Sequence, residues 1–546
     1  MMRLRIDMLA GLLTALAPTS SHAALAANAP HIVARDGHHT LIVDGAPFIM
    51  LAAQANNSSN DVDVLPQVFD TISRLHANTL EMPIAWEQVE SVEGHFDFTF
   101  VDTLLAQARA HDVRLVMLWF ATWKNGAPGY APEWVKTDTV RFPRKHDARG
   151  DGLPALSPFG AATLAADTRA FAALMRHLAL ADRQNTVIMV QPENEAGAFG
   201  VPREFSAEAD RLFAGSVPAA LTSALEKTPG TWRGVFGPIA EQAFMSWYTA
   251  RYIDAVAAAG KAEKPLPMYV NAALSDPLAK IIDPKWISSG SPDWNMIAIW
   301  KAAAPHIDLV APDIYTSDWR AVTAYLDAYA RPDNALMVPE IGNDAAFARF
   351  FWAALGRGAI GFAPFGMDAT GYANYPLGAK TLDVATIEAF AAPFRLFAPS
   401  VRGWAALAGQ KPAWGVAKDA EGTDQTHIFG RWRVTAQFDR WQIGDESWTF
   451  IKADPAPTRG KPVGGAVVLQ TKPDEFLVAG SDVRIRFTLP GAPAGTHWQY
   501  LSVEEGTLDT DGTWQPRRRW NGDQTDYGLT ITSTPTMLRV RLGTWH

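Results

Sequence analysis

The chain of 546 residues contains no cysteine. That absence excludes disulfide staples, thiolate metal sites and a cysteine nucleophile, so stability must come from packing alone. Charge is sparse: 19% of the residues are charged and the formal net charge is −9. A dilute, acidic balance gives nucleic acid no basic surface to bind, and none is expected as a partner. Past the N-terminus no run reaches the ~20 uninterrupted apolar residues that cross a bilayer, and no low-complexity tract suggests disorder. Hydrophobic residues make up 48%, enough for a large core. At this length two domains, one of them large, are expected.

The N-terminal stretch "MMRLRIDMLAGLLTALAPTSSHAALA" carries Arg3 and Arg5, an apolar run over 8–17, and small residues suited to cleavage after Ala23. That order reads as an export signal over residues 1–23. It predicts a periplasmic or secreted protein with no membrane anchor in the mature form.

Beyond the signal, short apolar runs alternate with segments of helical period. The runs "FIMLAAQ", "NTLEMPIAW", "VRLVMLWF", "TVIMVQPENE", "PMYVNA", "IDLVAPDIY", "ALMVPEIG" and "AIGFAPFG" read as strands. Segments such as "DVLPQVFDTISRLH" and "AADTRAFAALMRHLALAD" read as the amphipathic helices between them. Strand and helix repeated to eight strands predict an α/β fold, a (β/α)8 TIM barrel over residues 30–398. Insertions after strands three and four, 121–160 and 196–237, fall on the face where barrel sites form. From 399 to 546 the runs shorten and Gly, Pro and Asp separate them, which predicts a C-terminal antiparallel β-sandwich domain. In its "VRIRF" segment, alternation of apolar and basic residues predicts one buried and one wet face.

Two predicted strands end in acids. "VIMVQPENEAG" (187–197) closes on Glu193, Asn194 and Glu195, and "ALMVPEIG" (335–342) closes on Glu340. Strand C-termini meet over one pocket in a barrel, so Glu195 and Glu340 can face each other despite their separation in sequence. Paired carboxylates are the equipment of glycoside hydrolysis: one protonates the leaving oxygen, the other attacks the sugar carbon or activates water. That chemistry needs no cofactor and no metal. The chain's 20 Trp exceed what a core needs, and some are expected to line a sugar cleft. "GRGAIG" (356–361) has dinucleotide-fingerprint spacing but precedes a strand instead of following one, and the histidines show no metal-ligand spacing.

The pair "QPENEAG" and "VPEIG" resembles the acid/base and nucleophile motifs of the large retaining glycosidase clan built on this barrel. "WEQVESVEGHFDF", "WKNG" and "APEWV" narrow the resemblance to glycoside hydrolase family 35, the β-galactosidases. "DEFLVAG" and "RRRWNGDQT" narrow it to the bacterial subgroup with a C-terminal β-domain. The resemblance implies Glu195 as acid/base, Glu340 as nucleophile, Asn194 bonding the sugar 2-hydroxyl and Tyr315 bonding the nucleophile. It implies that Trp123, Lys124, Asn125 and Asn271 touch the galactosyl unit. Glu193 binds the sugar or braces the site. The chain departs from the better-known members in having Ala196 where they carry tyrosine, and "WKNG" where they carry an acidic loop.

The expected function is therefore a retaining exo-β-galactosidase acting on terminal non-reducing β-D-galactosyl residues of an oligo- or polysaccharide, such as a plant polysaccharide side chain. The alternatives are an exo-glycosidase for a β-glucoside or α-L-arabinopyranoside, and a carbohydrate-binding barrel without catalysis. The sequence sets no oligomeric state.

Overall fold

The computed structural model describes residues 29–280, 282–445, 450 and 453–546. The expected signal, residues 1–23, lies outside them. Eight parallel strands form one sheet: β1 (Met50–Gln54), β2 (Thr79–Ala85), β3 (Arg114–Lys124), β4 (Val187–Asn194), β5 (Tyr269–Ala273), β6 (Leu309–Ile314), β7 (Val338–Ile341) and β8 (Gly361–Pro364). Each pairs with the next, β8 pairs with β1, and a parallel bridge between Val190 and Met268 closes β4 onto β5. The sheet is a closed barrel.

Each strand is followed by a covering helix: α1 (Leu65–Arg74), α2 (Thr99–Ala110), α3 (Ala161–Ala181), α4 (Ala240–Glu263), α5 (Ile297–Ala303), α6 (Trp319–Tyr329), α7 (Phe350–Leu355) and α8 (Val384–Phe397). The periodicity of α1 shows why it forms where it does. Leu65, Val68, Phe69 and Ile72 recur at helical spacing and are buried, with Pro66 in the first turn, where its missing N–H costs nothing.

The barrel interior is packed. Met50, Ala52, Val116, Leu118, Ile188, Leu309 and Met337 fill it, and Leu41, Val43 and Phe48 from an antiparallel sheet over 31–48 join the same core. Those apolar side chains leave the strand C-termini as the place for polar groups.

The strand β3 runs to Lys124, four residues past its apolar run. The reason is an Asn-Gly turn: Asn125 and Gly126 have φ of 53° and 72°, and Lys124 and Ala127 exchange backbone hydrogen bonds of 2.8 and 3.1 Å. Asn-Gly favours such two-residue hairpins because both central residues take positive φ.

From Ala413 onward all strand pairs within the two larger sheets are antiparallel. Six strands form one sheet and four form the other, with Trp432, Val434, Val468, Phe476, Ile485 and Leu538 packed between them. The six-stranded sheet is buried on its other face as well, where Val467, Leu469, Leu477, Ala479 and Met537 join the barrel core. The wet face expected of "VRIRF" is only half wet. Arg486 is exposed, but Arg484 is buried and donates to Thr530 Oγ1, Asp445 Oδ1 and the carbonyls of Trp441 and Gly444. A loop covers the strand there and satisfies its guanidinium.

Candidate active site

At the mouth of the barrel the strand ends converge on Glu340, the third residue of β7. Its Oε1 accepts from Gln54 Nε2 of β1 at 2.9 Å, Asn194 Nδ2 of β4 at 3.3 Å and Asn271 Nδ2 of β5 at 3.4 Å. Its Oε2 accepts from the Tyr315 hydroxyl, just past β6, at 2.6 Å. Four donors fix one carboxyl whose residue is only 3% exposed. Burial, followed by the charges of Glu340 and Asp313, pushes the Tyr315 phenol well above its ordinary pKa, so it remains a donor.

Glu195 follows β4 with its backbone N–H donating to Asn271 Oδ1 at 2.9 Å. In a regular strand residues 193 and 195 would point the same way. Here Glu193 and Glu195 both sit at positive φ, 66° and 42°. Such backbone costs of order 1–3 kcal/mol per residue and is held only where surroundings enforce it. Its effect is to send Glu193 outward toward the helices while Asn194 and Glu195 both reach the mouth. The chain then passes through Gly197 at φ 152°, where a Cβ would lie 2.2 Å from Ser288 Oγ. Only glycine lets the β4 and β5 loops approach that closely.

One oxygen each from Glu195, Asp313 and Glu340 lies within 4.8 Å of the other two. Burial first, and then the charge of Glu340, pushes the Glu195 pKa up to about 7, against the pull of Lys124 and a hydrogen bond with Asp313. Two carboxyls this close, one crowded with donors and one held protonated near neutrality, can divide nucleophile and acid between them. An oxygen pair within 4.8 Å is compatible with the ~5–5.5 Å carboxyl separation of a retaining site. Among the described residues the same trio is the acid group close enough to hold a cation. Three oxygens fall short of the roughly six to eight that Ca²⁺ takes.

Most of the sequence-predicted residues come together here. Lys124 Nζ donates to Asn194 Oδ1 and to Asn125 Oδ1, both at 2.7 Å, which ties the Asn-Gly hairpin to the end of β4. One residue is placed otherwise, and one of the two alternatives for Glu193 is met. Trp123, expected on the sugar, is 0% exposed, its indole N–H donating to Leu156 O and its ring edge-on to Tyr252. Strand alternation explains this: with Lys124 facing the mouth, Trp123 faces the helices. Glu193 braces, accepting from the backbone N–H of Thr122 and Trp123.

Sequence reasoning missed Gln54 and Asp313. Both carried the signal that exposed the two glutamates, a polar residue closing an apolar run, in "FIMLAAQ" and "LVAPDIY".

The family model that matches the chain is a domain of unknown function, DUF5597, over residues 390–532. Comparison with curated proteins gives no match. Among solved structures the chain is similar to the catalytic domain of β-amylase from Paenibacillus polymyxa, with TM-score 0.45, 12% identity, and 62% of this chain and 96% of that one covered. It is also similar to β-galactosidase from Bacillus circulans sp. alkalophilus, with TM-score 0.45, 13% identity and coverage of 64% and 56%. For β-galactosidase from Rahnella sp. R3 the values are 0.47, 15%, 68% and 58%. The chain thus spans less than two thirds of the length of either β-galactosidase.

Proposed function

We propose that the protein is a retaining glycoside hydrolase, and specifically an exported exo-β-galactosidase that removes terminal β-D-galactosyl residues from an oligo- or polysaccharide. The observation that carries the hydrolase reading is the close pair of carboxyls at the strand ends, in environments that push their roles apart. Glu340 attacks the anomeric carbon while Glu195 gives its proton to the departing oxygen. Glu195, now a carboxylate, then takes a proton from water as that water breaks the glycosyl ester on Glu340. The galactoside preference rests on the motif resemblance to glycoside hydrolase family 35, and export rests on the signal-like N-terminus.

A panel of nitrophenyl glycosides tests the reading. A pocket whose buried polar groups fit an axial 4-hydroxyl leaves them unpaired with the equatorial epimer, so β-galactoside is expected to exceed β-glucoside at least ~10-fold in kcat/KM. Equal or reversed rates move the assignment to another exo-glycosidase. An inverted first product seen by NMR removes the covalent mechanism.

A further inference from the structure

Asp313 is absent from the two-carboxyl scheme, yet it stands inside the site. It lies on β6 directly beside Glu340 of β7 in the strand register, is 3% exposed, and keeps an oxygen within 4.8 Å of both Glu195 and Glu340. No nitrogen or hydroxyl donor among the described residues reaches either of its oxygens. A buried carboxylate without a donor is among the costliest groups a protein can hold. Two facing carboxylates repel, but a proton on one turns the same contact into a hydrogen bond. Glu340 already receives four donors, so the carboxyl left to share a proton with Asp313 is Glu195, which brings an oxygen within 4.8 Å of it.

We propose that Asp313 is a third working carboxyl of this site, a positioning residue that keeps its proton through the cycle and donates it as a hydrogen bond to Glu195. This rests on the hydrolase reading and deepens it. The bond matters most whenever Glu195 is a carboxylate, after it has protonated the leaving oxygen and before it takes the proton of water. Asp313 makes Glu195 a readier acid and holds it in line, and no proton is consumed: the one Glu195 gives to the leaving group is replaced from water.

The surroundings favour a protonated Asp313. Glu340, Glu195 and Glu81 face it with acidic groups, Lys124 opposes them, and the phenols of Tyr269, Tyr315 and Tyr329 lie near. Burial is the largest cause of its raised pKa. Burial beneath the site raises the Glu81 pKa in the same way, against the Tyr269 hydroxyl, which donates to its Oε2 at 3.0 Å.

The test compares Asp313→Asn, which keeps a donor of the same shape, with Asp313→Ala, which removes it. In Asp313→Ala the alkaline limb of kcat/KM is expected to move up by roughly one to two pH units, because the Glu195 carboxylate loses its donor. The rate loss should reach about 10–100-fold on alkyl galactosides, whose leaving group needs the proton, and stay within a few-fold on dinitrophenyl galactoside. Asp313→Asn should keep both the limb and the leaving-group dependence near those of the parent. An unmoved limb in Asp313→Ala, or equal loss on both leaving groups, overturns the proposal. So does a downward shift in both variants, which would mean that Asp313 acts as a charge. Carbon-13 titration of the Glu195 carboxyl, assigned by its disappearance in Glu195→Gln, reads the same shift without substrate. Inactivity of the parent protein on all the aryl glycosides would sink the hydrolase reading while leaving this measurement valid.

Discussion

Glu193 and Glu195 stand two residues apart, share left-handed backbone, and are both pushed upward in pKa with burial as the leading cause. Their surroundings differ. Glu193 turns outward into a network beside Asp167, accepting from Thr122 N at 3.3 Å and Trp123 N at 2.6 Å. Asp167 of α3 is itself held by Trp119 Nε1, Thr122 Oγ1 and Tyr252 OH. Glu195 turns inward onto two other carboxyls, partly exposed. A buried acid whose lone pairs and proton are all used is structural. One whose proton is contested by like charges is poised to give it away.

The largest effects should break this comparison outright. Glu340→Ala removes the proposed nucleophile, and turnover of even activated aryl galactosides is expected to fall by at least ~10⁴-fold. Glu195→Ala should still form the glycosyl intermediate from good leaving groups and then stall. Azide rescue of Glu195→Ala is expected to give β-galactosyl azide, and rescue of Glu340→Ala the α-anomer. Swapped anomers by NMR would reverse the two roles.

Next comes the brace. Glu193→Ala leaves two buried backbone N–H groups without acceptors, each costing ~1–3 kcal/mol, so a loss of about 2–4 kcal/mol is expected by urea unfolding. Glu193→Gln keeps an acceptor for Trp123 but not for Thr122, so it should lose roughly half as much stability and hold the rate. Glu195→Gln, the same chemical swap two residues on, should abolish hydrolysis of poor leaving groups. If Glu193→Gln is as damaging to rate as Glu195→Gln, Glu193 touches the reaction and the contrast fails.

The eight strands and both catalytic candidates were legible because each strand is an apolar run with a polar end, and the barrel brings those ends together. The orientation of Glu193 was not legible. It depends on two positive φ angles at non-glycine residues, which no pattern of apolar spacing encodes. Trp123 was misread because its strand continues to the Asn-Gly turn, which reverses whether a residue near the strand end faces mouth or helices. The antiparallel strand Trp514–Trp520 carries no apolar alternation that would mark it in the sequence. "WQPRRRW" is charged because it forms the edge of its sheet, where exposed arginines deter further pairing.

A gentler effect concerns pH and rate. As the proposed acid, Glu195 works only while protonated, so kcat/KM is expected to decline above about 7, the value to which burial and Glu340 push it. A profile flat to pH 9 would detach the alkaline limb from Glu195.

The smallest effect sharpens the comparison in the absence of substrate. A carboxyl whose folded pKa is raised binds its proton more tightly folded than unfolded. The stability it contributes is therefore complete below the unfolded value of ~4.3 and is lost as pH rises through the folded value. For Glu195 that window runs up to about 7. Glu195→Gln cannot titrate and should escape the loss. Its melting temperature relative to the parent should climb between pH 5 and pH 8 and level off beyond, by about 1–3 °C. The poised proton thus carries a cost in stability at neutral pH, as working groups often do. Parallel melting curves across that range would show that Glu195 is no more strained folded than unfolded, and its contrast with Glu193 would lose its electrostatic basis.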